Sequence, residues 1–131
     1  MTWIIQKKGG RGDLVCEEQA AHNLLRRLGA NGGYLGFYYA ASAIVLVMRV
    51  EENFYQCKWL YHEVANQYQT TPLCVERNIR TLVDSIWKYG NRELLEKIIP
   101  YPENEKPKNT QFIDGLAVYL LEHREQNSTF R

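Results

Sequence analysis

Cysteine, proline and charge of a single sign are all scarce in this sequence, and each scarcity closes off a class of protein. The three cysteines, Cys16, Cys57 and Cys74, stand 41 and 17 residues apart. An odd, scattered set builds neither a disulfide framework nor a Cys-x-x-Cys zinc site. Reduced thiols in a reducing, cytoplasmic compartment are therefore expected. Four prolines and nine glycines in 131 residues are too few for a collagenous or disordered chain. Sixteen basic residues face fifteen acidic ones, for a formal net charge of +1. That excludes a histone-like or acidic tail and leaves room for a local basic face. Long apolar runs are missing too: the longest, Tyr34 to Met48, has 15 residues and includes Gly36 and Ser42. It falls short of the roughly 18 that suggest a membrane span and reads as a buried core helix. At the N-terminus, Lys7 and Lys8 follow the short apolar run Trp3-Ile4-Ile5, the reverse of a signal peptide. Without export, Asn127-Ser128-Thr129 and Arg11-Gly12-Asp13 read as chance matches to a glycosylation sequon and an adhesion tripeptide.

What is present describes one domain. At 45% hydrophobic and 24% charged, a chain near the modal domain size has room for a single core. It should bury about two thirds of its unfolded surface without needing a disulfide or a metal. The expected layout is a flexible arm over 1–12, ending in Gly9-Gly10-Arg11-Gly12, a helical domain over 13–124 and a frayed tail over 125–131.

Within the domain, helical spacing predicts six helices. Asp13 is a candidate N-cap for a first helix over 14–28, which carries Ala21, Leu24, Leu25 and Leu28 on one side and ends at Gly29. Asn31-Gly32-Gly33 makes a turn into the apolar run, a second helix ending near Val50. Residues 51–58 read as a turn or short helix. A third helix covers 59–69, with Leu60, Tyr61, Val64, Ala65 and Tyr68 on one face. Proline disfavours a helical conformation at Thr71, which suits an N-cap, and Pro72 then takes the first helical position of a fourth helix over 72–89. There Val75, Ile79, Leu82, Val83 and Ile86 share one side, while Glu76, Arg77, Arg80, Thr81, Asp84 and Lys88 take the other. Gly90 ends it, Asn91 caps a fifth helix to Ile99, and a loop from Tyr101 to Asn109 leads to a sixth over 110–123. Trp3–Gln6 is the only strand candidate. The class is all-α.

The third and fourth helices, with the short break between them, form a helix–turn–helix candidate. The second of the pair opens its exposed face with Glu76, Arg77 and Arg80, residue types that read base edges. Arginine donates paired bonds to guanine, and a carboxylate accepts from the cytosine amino group. The N-terminal end of a recognition helix is the part that enters the major groove. A solvated i,i+4 pair between Glu76 and Arg80 on an ordinary surface helix accounts for the same pattern equally well.

The wider sequence tips that balance. Ordered stretches from about Leu14 to His123 carry a resemblance: Gly33-Tyr34-Leu35, Ala43-Ile44, Leu60-Tyr61, Thr70-Thr71 with Val75-Glu76-Arg77 and Ile79-Arg80, Trp87 with Gly90-Asn91, and Lys106-Pro107 with Asn109 and Phe112-Ile113. In these the chain resembles the C-terminal DNA-binding domains of stage zero sporulation protein A, the response regulator that initiates sporulation. The resemblance implies a six-helix domain of the winged-helix-like superfamily, built around a helix–turn–helix that docks on double-stranded DNA. It further implies that Arg77 contacts a guanine and Glu76 a cytosine. Arg80, Thr71, Thr81, Lys88, Lys106 and Lys108 would then serve the DNA backbone. Family members occupy neighbouring boxes as tandem dimers, so a homodimer on tandem sites is implied as well.

Two departures accompany the match. The family's arginine immediately before Val-Glu-Arg reads a base, and here Cys74 takes that place, so the base contact expected there is lost or altered. The family's receiver domain precedes this module, and twelve arm residues are too few to form one, so no phosphorylation switch in cis is expected. A thiol near a helix N-terminus and beside arginines can sense oxidants, while a small half-buried residue filling the turn explains Cys74 more simply. His22, His62 and His123 show no metal-ligand spacing with the cysteines. The aromatics Tyr34, Phe37, Tyr38 and Tyr39 can stack on bases, but inside an apolar helix they fit core packing. No nucleophile–base set, phosphate loop or carboxylate pair stands out, so no enzyme activity, cofactor, metal or small-molecule substrate is expected. The rival to a transcription regulator is a protein-interaction module of the same fold that modulates a full-length regulator without touching DNA.

Overall fold

The computed structural model describes residues 10–32, 34–49, 57–99 and 105–130, with side chains omitted for 10–16, 57 and 124–130. Six helices account for nearly all of it: α1 (Gly10–Arg27), α2 (Leu35–Arg49), α3 (Cys57–Tyr68), α4 (Pro72–Tyr89), α5 (Arg92–Ile98) and α6 (Asn109–Phe130). No strand occurs among the described residues. The all-α class and the count of six helices agree with the sequence expectation. The strand candidate Trp3–Gln6 and most of the segment 51–58 lie outside the described residues.

The apolar run becomes α2, and α2 is the centre of the molecule. Phe37, Ala40, Ala43 and Ile44 are fully buried on it, and α1, α4 and α6 pack around it. A helix apolar on nearly all sides has to be surrounded in this way. The four aromatics divide: Phe37 and Tyr39 enter the core, whereas Tyr34 and Tyr38 remain exposed.

Local signals set most helix ends. α1 closes with Gly29 in the left-handed region (φ 108°), where the Ala30 amide reaches back to the Leu25 carbonyl at 2.9 Å. Gly29 also touches the end of α4, since a Cβ on it would lie 2.8 Å from Gly90 Cα. The Asn91 amide donates to the Leu28 carbonyl at 2.9 Å, which ties the far end of α4 to the end of α1. At its start, α1 departs from expectation. The helix is already formed at Gly10, so Asp13 lies inside it and is not the N-cap, and Gly10–Gly12 are helical rather than part of an arm. α6 likewise continues to Phe130, past the expected end near 123.

Candidate nucleic-acid interface

Three residues, Gln69 to Thr71, separate α3 from α4. Gln69 takes a left-handed conformation (φ 57°) and the Thr70 amide reaches the Ala65 carbonyl at 3.0 Å, a closure that turns the chain sharply. Thr71 then caps α4 from an extended conformation, its Oγ1 accepting from the Cys74 amide at 3.1 Å, with Pro72 beginning the helix. Losing such a cap costs about 1 kcal/mol. Val75, Ile79, Leu82, Val83 and Ile86 are all buried, and each contributes roughly 1.5–3 kcal/mol of apolar burial. This stripe fixes the rotation of α4 about its axis, and so determines what the opposite face presents.

That face shows Leu73, Arg77, Arg80, Thr81 and Lys88 to solvent. Arg77 has no carboxylate partner among the described residues, so its guanidinium is available to an outside acceptor. Glu76 is half-buried, and its Oε2 is in a close ion pair with Arg80. Thr81 donates its hydroxyl to the Arg77 carbonyl at 3.1 Å, whereas Thr71 accepts its capping bond and keeps its own hydroxyl hydrogen. Lys106 and Lys108 stand exposed on the loop before α6, beside the same face. Lys106 forms a close ion pair with Asp84 of α4. A cleft of about 340 Å³ runs between α4 and this loop, bordered by Glu76, Arg80, Lys106 and Lys108. Five cations thus share the face with two carboxylates, a basic patch on a nearly neutral chain.

Cys74 is turned differently. It is half-buried against the core and carries a free thiol. Asn78 Nδ2 donates to the Cys74 carbonyl at 2.8 Å and approaches its Sγ at 3.4 Å. Behind it, the buried Tyr39 of α2 has the Thr70 hydroxyl and the Cys74 thiol as polar neighbours. Burial, reinforced by the neighbouring Cys74, raises the Tyr39 phenol above its ordinary 10. The thiol is therefore engaged on the protein side of the helix, as a residue filling the turn. This placement is that of the small half-buried residue weighed for position 74 in the sequence.

Three residues that hold this face in place were not singled out for it by the sequence. Tyr39 and Asn78 pin the first turns of α4. Asn109, at the start of α6, donates to the Tyr61 hydroxyl at 3.2 Å and to the Glu76 carbonyl at 3.1 Å, clipping α6 to α3 and α4. Asn109 did carry a signal, as one of the residues in the sporulation-domain resemblance. Tyr39 was legible only as a core residue, and Asn78 carried no signal, since an asparagine beside a polar stripe is ordinary.

A capped, core-anchored helix that follows a three-residue turn after another helix has the layout of a helix–turn–helix. The family model described as "Sporulation initiation factor Spo0A C terminal" matches residues 21–120. The chain belongs to that family. The match takes in α2 to α5 entirely, with the C-terminal part of α1 and the first half of α6. The Spo0A C-terminal family comprises DNA-binding effector domains of a sporulation regulator and is not an enzyme family. Among the described residues, no helix is long and apolar enough to cross a membrane, and no cluster of His, Cys, Asp or Glu is arranged to hold a metal ion.

Proposed function

We infer that this Spo0A C-terminal family member is a sequence-specific transcription regulator that lays the N-terminal half of α4 in the major groove of double-stranded DNA. The observation that carries this reading is Arg77, exposed and unpaired on a face whose rotation the buried stripe fixes. Arg77 donates paired bonds to guanine O6 and N7, and Glu76 Oε1 accepts from a cytosine amino group while Oε2 stays with Arg80. Thr71, Arg80, Lys88 and Lys108 meet phosphates directly. Lys106 and Thr81 join them by exchanging their present partners, Asp84 and the Arg77 carbonyl. Two copies on tandem sites would double the readout.

Selection of binding sites from random duplexes with purified protein tests this. Arg77→Ala should cost about 1–3 kcal/mol and relax the preference at one base pair, whereas Lys88→Ala should weaken all sequences alike. Binding should fall with salt at a logarithmic slope of about −0.9 per phosphate contact. Equal, sequence-independent losses from both substitutions would overturn groove reading. The internal pairing of Glu76 with Arg80 and of Asp84 with Lys106 favours the interaction-module alternative, and failure to retain DNA even at low salt would select it.

A further inference from the structure

We propose that Leu73 is a specificity-determining residue that reads the C5-methyl group of a thymine. The assignment rests on the major-groove docking of α4 proposed above. Leu73 lies in the first turn of α4 and is 55% exposed, although the apolar stripe of the same helix is fully covered. It is one helical turn from Arg77, about 6 Å along the axis and about 40° around it. Base pairs are stacked about 3.4 Å apart, so the two side chains address positions within two base steps of each other.

Its neighbours leave it this role. Cys74, the next residue, turns its thiol towards Tyr39 and Asn78 and does not compete for the groove. The Thr71 cap and the Asn78 bond to the Cys74 carbonyl hold the first turn in one orientation, which keeps Leu73 on the Arg77 side. An isobutyl group gains nothing from phosphates or from the heteroatoms of base edges. The apolar feature that a major groove offers is the thymine methyl.

The contact can be read by deleting the methyl and nothing else. In the selected duplex, each thymine is replaced in turn by deoxyuridine, and binding of the whole 131-residue chain is measured. At one position within two base steps of the Arg77 guanine, affinity should fall about fourfold, the equivalent of one buried methyl-sized group. Leu73→Ala should bind thymine and uracil equally well there and keep its dependence on guanine. If Arg77→Ala relaxes the guanine preference while no thymine methyl matters to the parent protein, the Leu73 assignment is wrong and the docking stands. Retention by Leu73→Ala of the full methyl penalty would also overturn the assignment. If binding shows no sequence dependence at all, docking and assignment fall together. The deoxyuridine series uses the unaltered protein, so the central result does not depend on the stability of a variant.

Discussion

Replacing Gly36 by alanine probes the contact that seats the recognition helix on the core. Gly36 is buried in the first turn of α2, where α2 crosses α4. A Cβ built there would lie 2.3 Å from the Asn78 carbonyl oxygen, 3.0 Å from its carbonyl carbon and 3.2 Å from Leu82 Cβ. Two of these three atoms are backbone and cannot rotate away, so the helices must separate. Overpacking of this kind costs about 1–3 kcal/mol, and a clash with rigid backbone belongs at the upper end. Alanine is also a better helix former than glycine by about 1 kcal/mol, which offsets part of the loss. The net expectation is a destabilisation of about 1–2 kcal/mol, seen as a midpoint about 3–8 °C lower in thermal unfolding followed by circular dichroism. DNA affinity should fall as well, because the displaced atoms belong to the turn of α4 that carries Arg77. The two contributions have opposite signs, which makes the outcome decisive. A variant as stable as the parent, or about 1 kcal/mol more stable, would show that α2 and α4 do not approach this closely.

Asn109→Ala should cost about 1–2 kcal/mol in chemical denaturation by removing its bonds to the Tyr61 hydroxyl and the Glu76 carbonyl; unchanged stability would mean that the clip to α6 contributes nothing. In Cys74→Arg, the guanidinium does not fit the space beside Tyr39 and Asn78 and must swing towards the groove. It should add about 1–3 kcal/mol of discrimination at one base pair and lose about 1 kcal/mol of stability; an unchanged selected site together with unchanged unfolding would refute this account. Burial against Phe37, whose ring centroid lies 5.1 Å away, holds the His22 imidazole below its ordinary 6.5, a shift opposed by Glu18 and reinforced by Arg26. The unfolded chain therefore takes up this proton more readily, so stability present at neutral pH should decline as pH falls below 6.5. His22→Gln should flatten that part of the unfolding profile, and an identical pH dependence in the variant would exclude His22 as its source.

Much of the molecule follows from the sequence alone, because the signals involved act over only a few residues. Thr71-Pro72 starts α4, Gly29 ends α1 and Asn91 caps α5, each through bonds closed within a single turn. The spacing of Val75, Ile79, Leu82, Val83 and Ile86 gave the inner face of α4, and with it the outward placement of Arg77 and Arg80. The ordered motifs from Gly33-Tyr34-Leu35 to Phe112-Ile113 pointed to the family that the match over residues 21–120 then established. Tertiary structure decided the rest. Periodicity put Cys74 outside the apolar stripe, and it is the approach of Tyr39 from α2 that gives its thiol a neighbour on the protein side. Lys106 and Asp84 are 22 residues apart, Asn109 and Tyr61 48 apart. No local pattern can pair groups so distant, because their meeting depends on how α6 and its leading loop pack across α3 and α4. Leu73 stands between the two cases: helical spacing already sets it one turn from Arg77, and the packed helix adds that it stays exposed there while Cys74 turns inward.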